Sequence, residues 1–511
     1  MESKRLVAAL LMAGMLSACG SGSDSDPDDK PTDPPPALSG DVPLPPGNGD
    51  LLDIAVAPPA SDVRVNFELT EPYQVQVTDL AVSAEGLWCQ VQRGTDVDNP
   101  LPMGRAWQPG WQQSMSCHID GQQAFRYQPQ DGVIVVDMAA QDGSRVLLLE
   151  AVPSAYDGPG PAEGWFELRF TQLDGAGNTL QQRWLEDQPN EQELYYYFYE
   201  RNAETPSRRV EESLSHNNRP QIGANTLARL QVHDGVPYLV AHTYGIKVYR
   251  FNSDLTVAWD QQIMPANRDL WFGDLTNVSQ MAVRDDGAVA VAFELFQGTE
   301  PREDNARLYQ AHFGQPLADP NPGSDVGISV LSPDGVKLRT FIAGLKGHDE
   351  ALTSVLWRGD ELVLTGGTRY GKAGAAGGSS EWDSYLARID SSTGETLHSQ
   401  LFHVHDEDML FDTVLTDSGR LLMAGVSGFS QADSNSQMTY GYGVIYEVND
   451  AGDVLPLMRL DKPRNSRING IQVVGDTLYY RYDFDGYITH TCDTVNTLCW
   501  SKAGVSNLRL P

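Results

Sequence analysis

The sequence predicts an all-β protein: a β-propeller of six to eight blades, with a small β-sandwich-like domain before it. Three observations predict it. Short apolar runs that partly alternate with polar residues recur along the 511 residues, separated by Asp-Gly, Gly-Asp and Ser-Gly turns. From about residue 225 these runs fall into a plan of four strands per unit, repeated at about 55 to 70 residues. Long stretches of helical periodicity are nearly absent. The expected order is a leader over 1–18, a spacer over 19–55, the small β domain over 56–155 and the repeat domain over 156–511.

The chain opens with Met1-Glu2-Ser3-Lys4-Arg5, continues with an apolar stretch from Leu6 to Leu16, and reaches Leu16-Ser17-Ala18-Cys19. A basic start, a short apolar core and small residues at a cut site describe a secretory leader. The apolar run is well short of the roughly 20 residues that a membrane-spanning helix needs. Leu16-Ser17-Ala18-Cys19 resembles the lipobox of bacterial lipoproteins. The resemblance implies cleavage before Cys19, lipid on its sulfur and its new amino group, and a stable membrane anchor. Gly20 rather than aspartate follows the cysteine, which in the Gram-negative sorting rule implies the outer membrane. Residues 20 to about 50 are Gly, Ser, Asp and Pro with almost nothing to bury, so a disordered, extended spacer is expected. Asp24, Asp26 and Asp28 alternate like the start of a calcium loop. Asp29 and Pro35 stand where that loop needs glycine and glutamate, and a solvated acidic spacer is the better reading.

Residues 56–155 contain NFELTEPYQVQVTDLAV, GLWCQVQRG, QSMSCHIDG, QAFRYQP, GVIVVDMAA and RVLLLEAVP, read as strands and turns of the small domain. A further strand-rich block follows, GWFELRFTQLDGAGNTLQQRWL, with a hairpin turn at Asp174–Asn178, and then ELYYYFYERN. Besides Cys19 the chain has Cys89, Cys117, Cys492 and Cys499. Four cysteines allow three pairings, and export makes disulfides reasonable. Proximity in sequence favours Cys89–Cys117 and Cys492–Cys499, as structural staples.

Five repeat units are legible from Thr226 onward. Each has a strand, a tight turn, an apolar strand such as LVLTGG or LLMAGV, a variable connection, a third strand such as SYLARID or GVIYEVN, a turn, and a fourth strand. Two units share a frame: Leu362-Val363-Leu364-Thr365-Gly366 with Leu386-Ala387-Arg388-Ile389-Asp390, and Leu421-Leu422-Met423-Ala424-Gly425 with Ile445-Tyr446-Glu447-Val448-Asn449. This resembles bacterial propellers with an L-x-x-x-G frame in each blade, over roughly residues 225–490, and implies blades closing into a ring. Up to three more blades are expected upstream. The long variable connections Gly371–Glu381 and Ser427–Thr439 fit a role in binding a partner.

The formal net charge of −33 argues against nucleic acid and anionic surfaces as partners. The sequence has no Gly-x-Ser-x-Gly elbow, His-Glu-x-x-His helix, C-x-x-C knuckle or phosphate-cradling glycine loop, and no cofactor and no catalytic residue are expected. The densest chemical cluster is His403-Val404-His405-Asp406-Glu407-Asp408. His403 and His405 alternate on an extended chain, and with Asp406 they are candidate metal ligands. His348-Asp349-Glu350 stands one repeat earlier, and both groups are expected at one end of the channel. A glycosidase pair could hide among Asp269, Asp274, Asp285, Asp286, Asp304 and Glu350. Trp259, Trp271, Phe272 and Trp382 would line a groove or fill space between blades. The favoured reading is a lipid-anchored envelope lipoprotein of the outer membrane. It would act as a binding scaffold for an envelope or outer-membrane protein, or as an accessory of an assembly or uptake system. The alternative is an envelope hydrolase acting on glycan or ester.

Overall fold

The computed structural model describes residues 51–69, 76–95, 111–130, 133–153, 166–185, 228–242, 246–264, 280–296, 324–344, 348–370, 382–404, 407–431, 438–449, 452–462, 466–489 and 497–510. They form a seven-bladed β-propeller of four-stranded antiparallel sheets. Blade 1 is β3 (Gln76–Val82), β4 (Trp88–Thr95), β5 (Trp111–Ile119) and β6 (Gln122–Tyr127). Blade 2 is β7 (Ile134–Gln141), β8 (Arg145–Pro153), β9 (Phe166–Leu173) and β10 (Thr179–Trp184). Blade 3 is β11 (Ala228–His233), β12 (Val236–His242), β13 (Ile246–Phe251) and β14 (Val257–Met264). Blade 4 is β15 (Gln280–Val283), β16 (Val289–Phe296), β17 (Ser324–Leu331) and β18 (Lys337–Ala343). Blade 5 is β19 (His348–Arg358), β20 (Glu361–Tyr370), β21 (Asp383–Asp390) and β22 (Thr396–His403). Blade 6 is β23 (Glu407–Leu415), β24 (Leu421–Gln431), β25 (Met438–Val448) and β26 (Val454–Arg459). Blade 7 takes β27 (Ser466–Val474), β28 (Thr477–Thr489) and β29 (Thr497–Arg509) from the C-terminal part of the chain, and its outer strand, β2 (Arg64–Leu69), from the N-terminal part. The strands β3, β7, β11, β15, β19, β23 and β27 touch one another in turn and line the channel.

Two expectations change. Residues 76–127 and 134–184 are blades 1 and 2, and the boundary expected at 155/156 falls between β8 and β9 of one sheet. The segment therefore joins the ring rather than forming a sandwich of its own. The connection expected at Ser427–Thr439 is shorter, because β24 runs to Gln431 and β25 starts at Met438. The leader, Cys19, most of the spacer, Cys492 and residues 371–381 lie outside the described residues, as do Trp271, Phe272, Asp269, Asp274 and Asp304.

A blade buries both faces only against its neighbours, and this explains the apolar runs. In β20, Leu362 and Leu364 pack in the seam between blades 4 and 5, while Val363 packs between blades 5 and 6. In β24, Leu422 and Ala424 face blade 7 and Leu421 and Met423 face blade 5. Each of the seven seams has its own apolar cluster. The frame glycines have a steric cause. A Cβ on Gly366 would lie 1.9 Å from the Ala351 carbonyl oxygen, and one on Gly425 would lie 1.9 Å from that of Met409. Both sit beneath bulged stretches of the inner strands β19 and β23.

The N-terminal segment is a strap. β1 (Leu51–Asp53) adds to the outer edge of blade 5, parallel to β22. The chain then crosses blade 6, where Arg459 N donates to Pro58 O (2.8 Å) and Ala60 N to Arg459 O (3.0 Å), and enters blade 7 as β2. The disulfide Cys89–Cys117 joins directly opposed residues of β4 and β5, as expected. Closing a 28-residue separation contributes about 3–4 kcal/mol on the chain-entropy account.

Candidate functional site

Bulges in the inner strands determine what faces the channel. In β3, β7, β19, β23 and β27 the register shifts just before Asp79, Asp137, Ser354, Asp412 and Gly470. Three of these positions hold aspartate, and each carboxylate ties its own strand to the next blade. Asp79 accepts from Leu80 N (2.8 Å) and, across the seam, from Met138 N (2.7 Å). Asp137 accepts from Met138 N (3.0 Å) and from Leu230 N of blade 3 (2.6 Å). Asp412 accepts from Thr413 N (2.8 Å) and from Ile471 N of blade 7 (2.9 Å). The seam between blades 7 and 1 has different chemistry: Gln472 accepts from Val82 N and donates to Leu80 O, both at 2.7 Å, and Arg481 donates to Val77 O at 2.9 Å. Among the described residues this closing seam has the smallest apolar cluster, so polar latches carry more of its cohesion.

These groups surround a cavity of about 850 Å³, lined also by Arg229, Gln280 and Ser354. It extends toward the face of the short turns, where Arg284 pairs with Asp286 and Asp360 and lies 4.8 Å over the ring of Trp357. The Arg284 hydrogen bonds hold Asp286 down at about 2. Deeper in, burial dominates. It raises Asp79 well above the carboxylate range, with the Asp137 charge adding to it, and it raises Asp137 and Asp412 against the pull of Arg229 and of the seam N–H groups. Asp79 and Asp137 converge on one N–H, and both cannot readily carry charge there.

Other expected sites fall elsewhere. His403 ends β22, the fourth strand of blade 5, and its ring meets Asp53 of the strap (2.6 Å) and Asp383 (3.4 Å). It is thus at the outer edge of the blade and not at an end of the channel. His405 and Asp406 lie outside the described residues, as do the side chains of His348 and Asp349. Among the described residues no group of three or more His, Cys, Asp or Glu is placed to hold a metal ion. Trp382 is fully buried, and Trp259 packs in the seam between blades 3 and 4, donating to Pro333 O at 3.0 Å. Both fill space between blades. The aspartates that do line the channel had a readable signal: a lone acid inside an apolar strand, in VTDLAV, VVDMAA and LFDTVL.

Asp408 stands four residues before Asp412 on β23, buried, accepting from Val404 N (3.1 Å) and from Ser427 Oγ. Burial pushes it up to about 7. A carboxyl raised in the fold binds its proton more tightly folded than unfolded. Its stabilising effect is therefore full below about pH 4 and is lost as pH rises toward 7. Asp408→Asn is expected to remove that dependence, which amounts to about 2–4 kcal/mol between pH 4 and 8. Denaturant unfolding of both proteins at several pH values measures it, and equal pH dependence in the two would refute the assignment.

No family model matches the chain, and no curated protein matches it. Solved structures do. The β-propeller domain of the trilobed protease from Pyrococcus furiosus is 10% identical, with 82% of this chain and 94% of that chain covered and a TM-score of 0.41. A protein of unknown function from Dyadobacter fermentans is 10% identical over 88% of this chain and 100% of that one, with a TM-score of 0.39. An α-L-arabinofuranosidase from Fusarium graminearum is 8% identical over 71% and 92%, with a TM-score of 0.36.

Proposed function

We propose that this protein is an envelope lipoprotein, tethered through lipid on Cys19 to the outer membrane, whose propeller is a scaffold that binds another envelope protein. The observation that carries the scaffold reading is an asymmetry between the two faces. The turns from first to second strand and from third to fourth are short throughout. The connections that leave from the opposite strand ends include 96–110, 154–165, 186–227, 265–279, 297–323 and 371–381. Sequence length spent on one face of a rigid ring is the usual arrangement for recognition by loops. The channel aspartates, in turn, are engaged in holding blades together, which leaves them poorly suited to act as a glycosidase pair. The anchor rests on Leu16-Ser17-Ala18-Cys19, and the spacer to Asp50 would reach on the order of 100 Å if extended.

The test of the anchor is Cys19→Ser. Lipid labelling should vanish and the protein should move to the soluble envelope fraction. A lipid-labelled, membrane-bound variant would contradict the anchor without touching the scaffold reading.

A further inference from the structure

The inner-strand bulge of blade 7 has glycine after it. Where blades 1, 2 and 6 place a channel aspartate, blade 7 has Gly470, and a Cβ there would lie 2.5 Å from Nε of Arg481. The missing side chain lets an arginine from β28, the middle of the sheet, reach through the inner strand to the cavity wall. Arg481 is only 7% exposed. Among the described residues it donates one hydrogen bond, to Val77 O, and no carboxylate lies within ion-pair distance of it. The nearby acids act on its charge from beyond hydrogen-bond reach: Asp79 and Asp412 are held by backbone N–H groups, and Asp483 meets Arg467 (3.0 Å) and Asn469 (2.5 Å) through Oδ2. A guanidinium has five N–H donors, and those of Arg481 without a protein acceptor keep contact with the channel, where a solute can accept them.

We propose that the channel is a binding site for a small hydroxyl-rich monocarboxylate, a sugar acid in chemical class, whose carboxylate docks on the guanidinium of Arg481. A planar guanidinium matches a carboxylate with two parallel hydrogen bonds. The surroundings set the rest of the ligand. Asp79, Asp137 and Asp412 in the same wall, with Asp285 at the mouth, favour a single carboxylate over a dianion such as phosphate, and Gln231 and Ser354 in that wall offer hydrogen bonds to hydroxyl groups. Arg229 in the same wall disfavours an ammonium. About 850 Å³ holds a solute of this size with water. This site is independent of the anchor and of the partner-binding face.

The experiment is calorimetric titration of the full-length protein with galacturonate, with its uncharged methyl ester, and with inorganic phosphate, each into the millimolar range. Galacturonate should bind at least tenfold more tightly than the ester or phosphate. Arg481→Gln should weaken it at least tenfold, while leaving any ester binding unchanged. Gly470→Ala, which keeps the charge but displaces it, should weaken it too. The acid–ester comparison needs no variant and stands even if the substitutions unfold the ring. Equal binding of acid and ester, tighter binding of phosphate, undiminished binding by a folded Arg481→Gln protein, or no binding of any probe would each overturn the proposal.

Discussion

Removing residues 51–69 is expected to open the ring. The loss takes away the outer strand of blade 7, the parallel strand on blade 5 and the crossing over blade 6 in one step. Ala57 is buried between blades 5 and 6, and Ala60 and Val63 pack against the cluster between blades 6 and 7. With Glu68 gone, Lys462 loses its ion-pair partner and the buried Tyr482 hydroxyl loses the carboxylate it reaches at 2.8 Å. The backbone bonds of the strap, at about 1 kcal/mol each, together with the buried side chains, come to roughly 5–10 kcal/mol. That is comparable with the whole stability of a typical folded domain. The shortened protein should therefore lose its cooperative thermal transition or show it far below that of the intact chain by calorimetry. A melting temperature within a few degrees of the intact protein would show that the seam between blades 7 and 1 closes without the strap.

Asp412→Ala should produce the largest effect of any single channel substitution at the seam between blades 6 and 7. It strips the acceptor from two N–H groups at once, those of Thr413 and of the buried Ile471. An unpaired buried N–H costs about 1–3 kcal/mol, so the expected loss is about 2–5 kcal/mol. Asp412→Asn should cost less, because the amide oxygen still accepts one of the two bonds while its NH2 cannot accept the other. Chemical denaturation of the three proteins gives the order. Equal stability of the alanine and wild-type proteins would mean that burial of the carboxylate cancels what its bonds contribute.

Blades 3 to 7 were legible because each couples a tight turn to an apolar strand buried on both faces, as in LVLTGG and LLMAGV. Blades 1 and 2 have the same chemistry, but the segment 186–227 separates them from the clear repeats, and strands of a sandwich alternate in the same way. The outer strand of blade 7 could not be read locally: RVNFEL pairs with residues more than 400 positions away, and nothing within it specifies that partner. For the site, a lone aspartate inside an apolar run was visible, but only the bulge before it turns the carboxylate to the next blade's N–H. Arg481 was hidden for a further reason. Its position depends on a side chain that Gly470 lacks on the neighbouring strand. His403 stood out in sequence by its company, yet the strand that approaches it, Leu51–Asp53, lies some 350 residues away.

The scaffold reading is tested most directly by photo-crosslinking in intact cells from each face of the ring. One probe would replace a residue within 371–381, on the side of the long connections, and another would replace Asp476 in a short turn. The account predicts a reproducible envelope-protein partner from the first position and none from the second. No specific partner from either position, together with turnover of a polysaccharide or an ester by the purified protein, would contradict it.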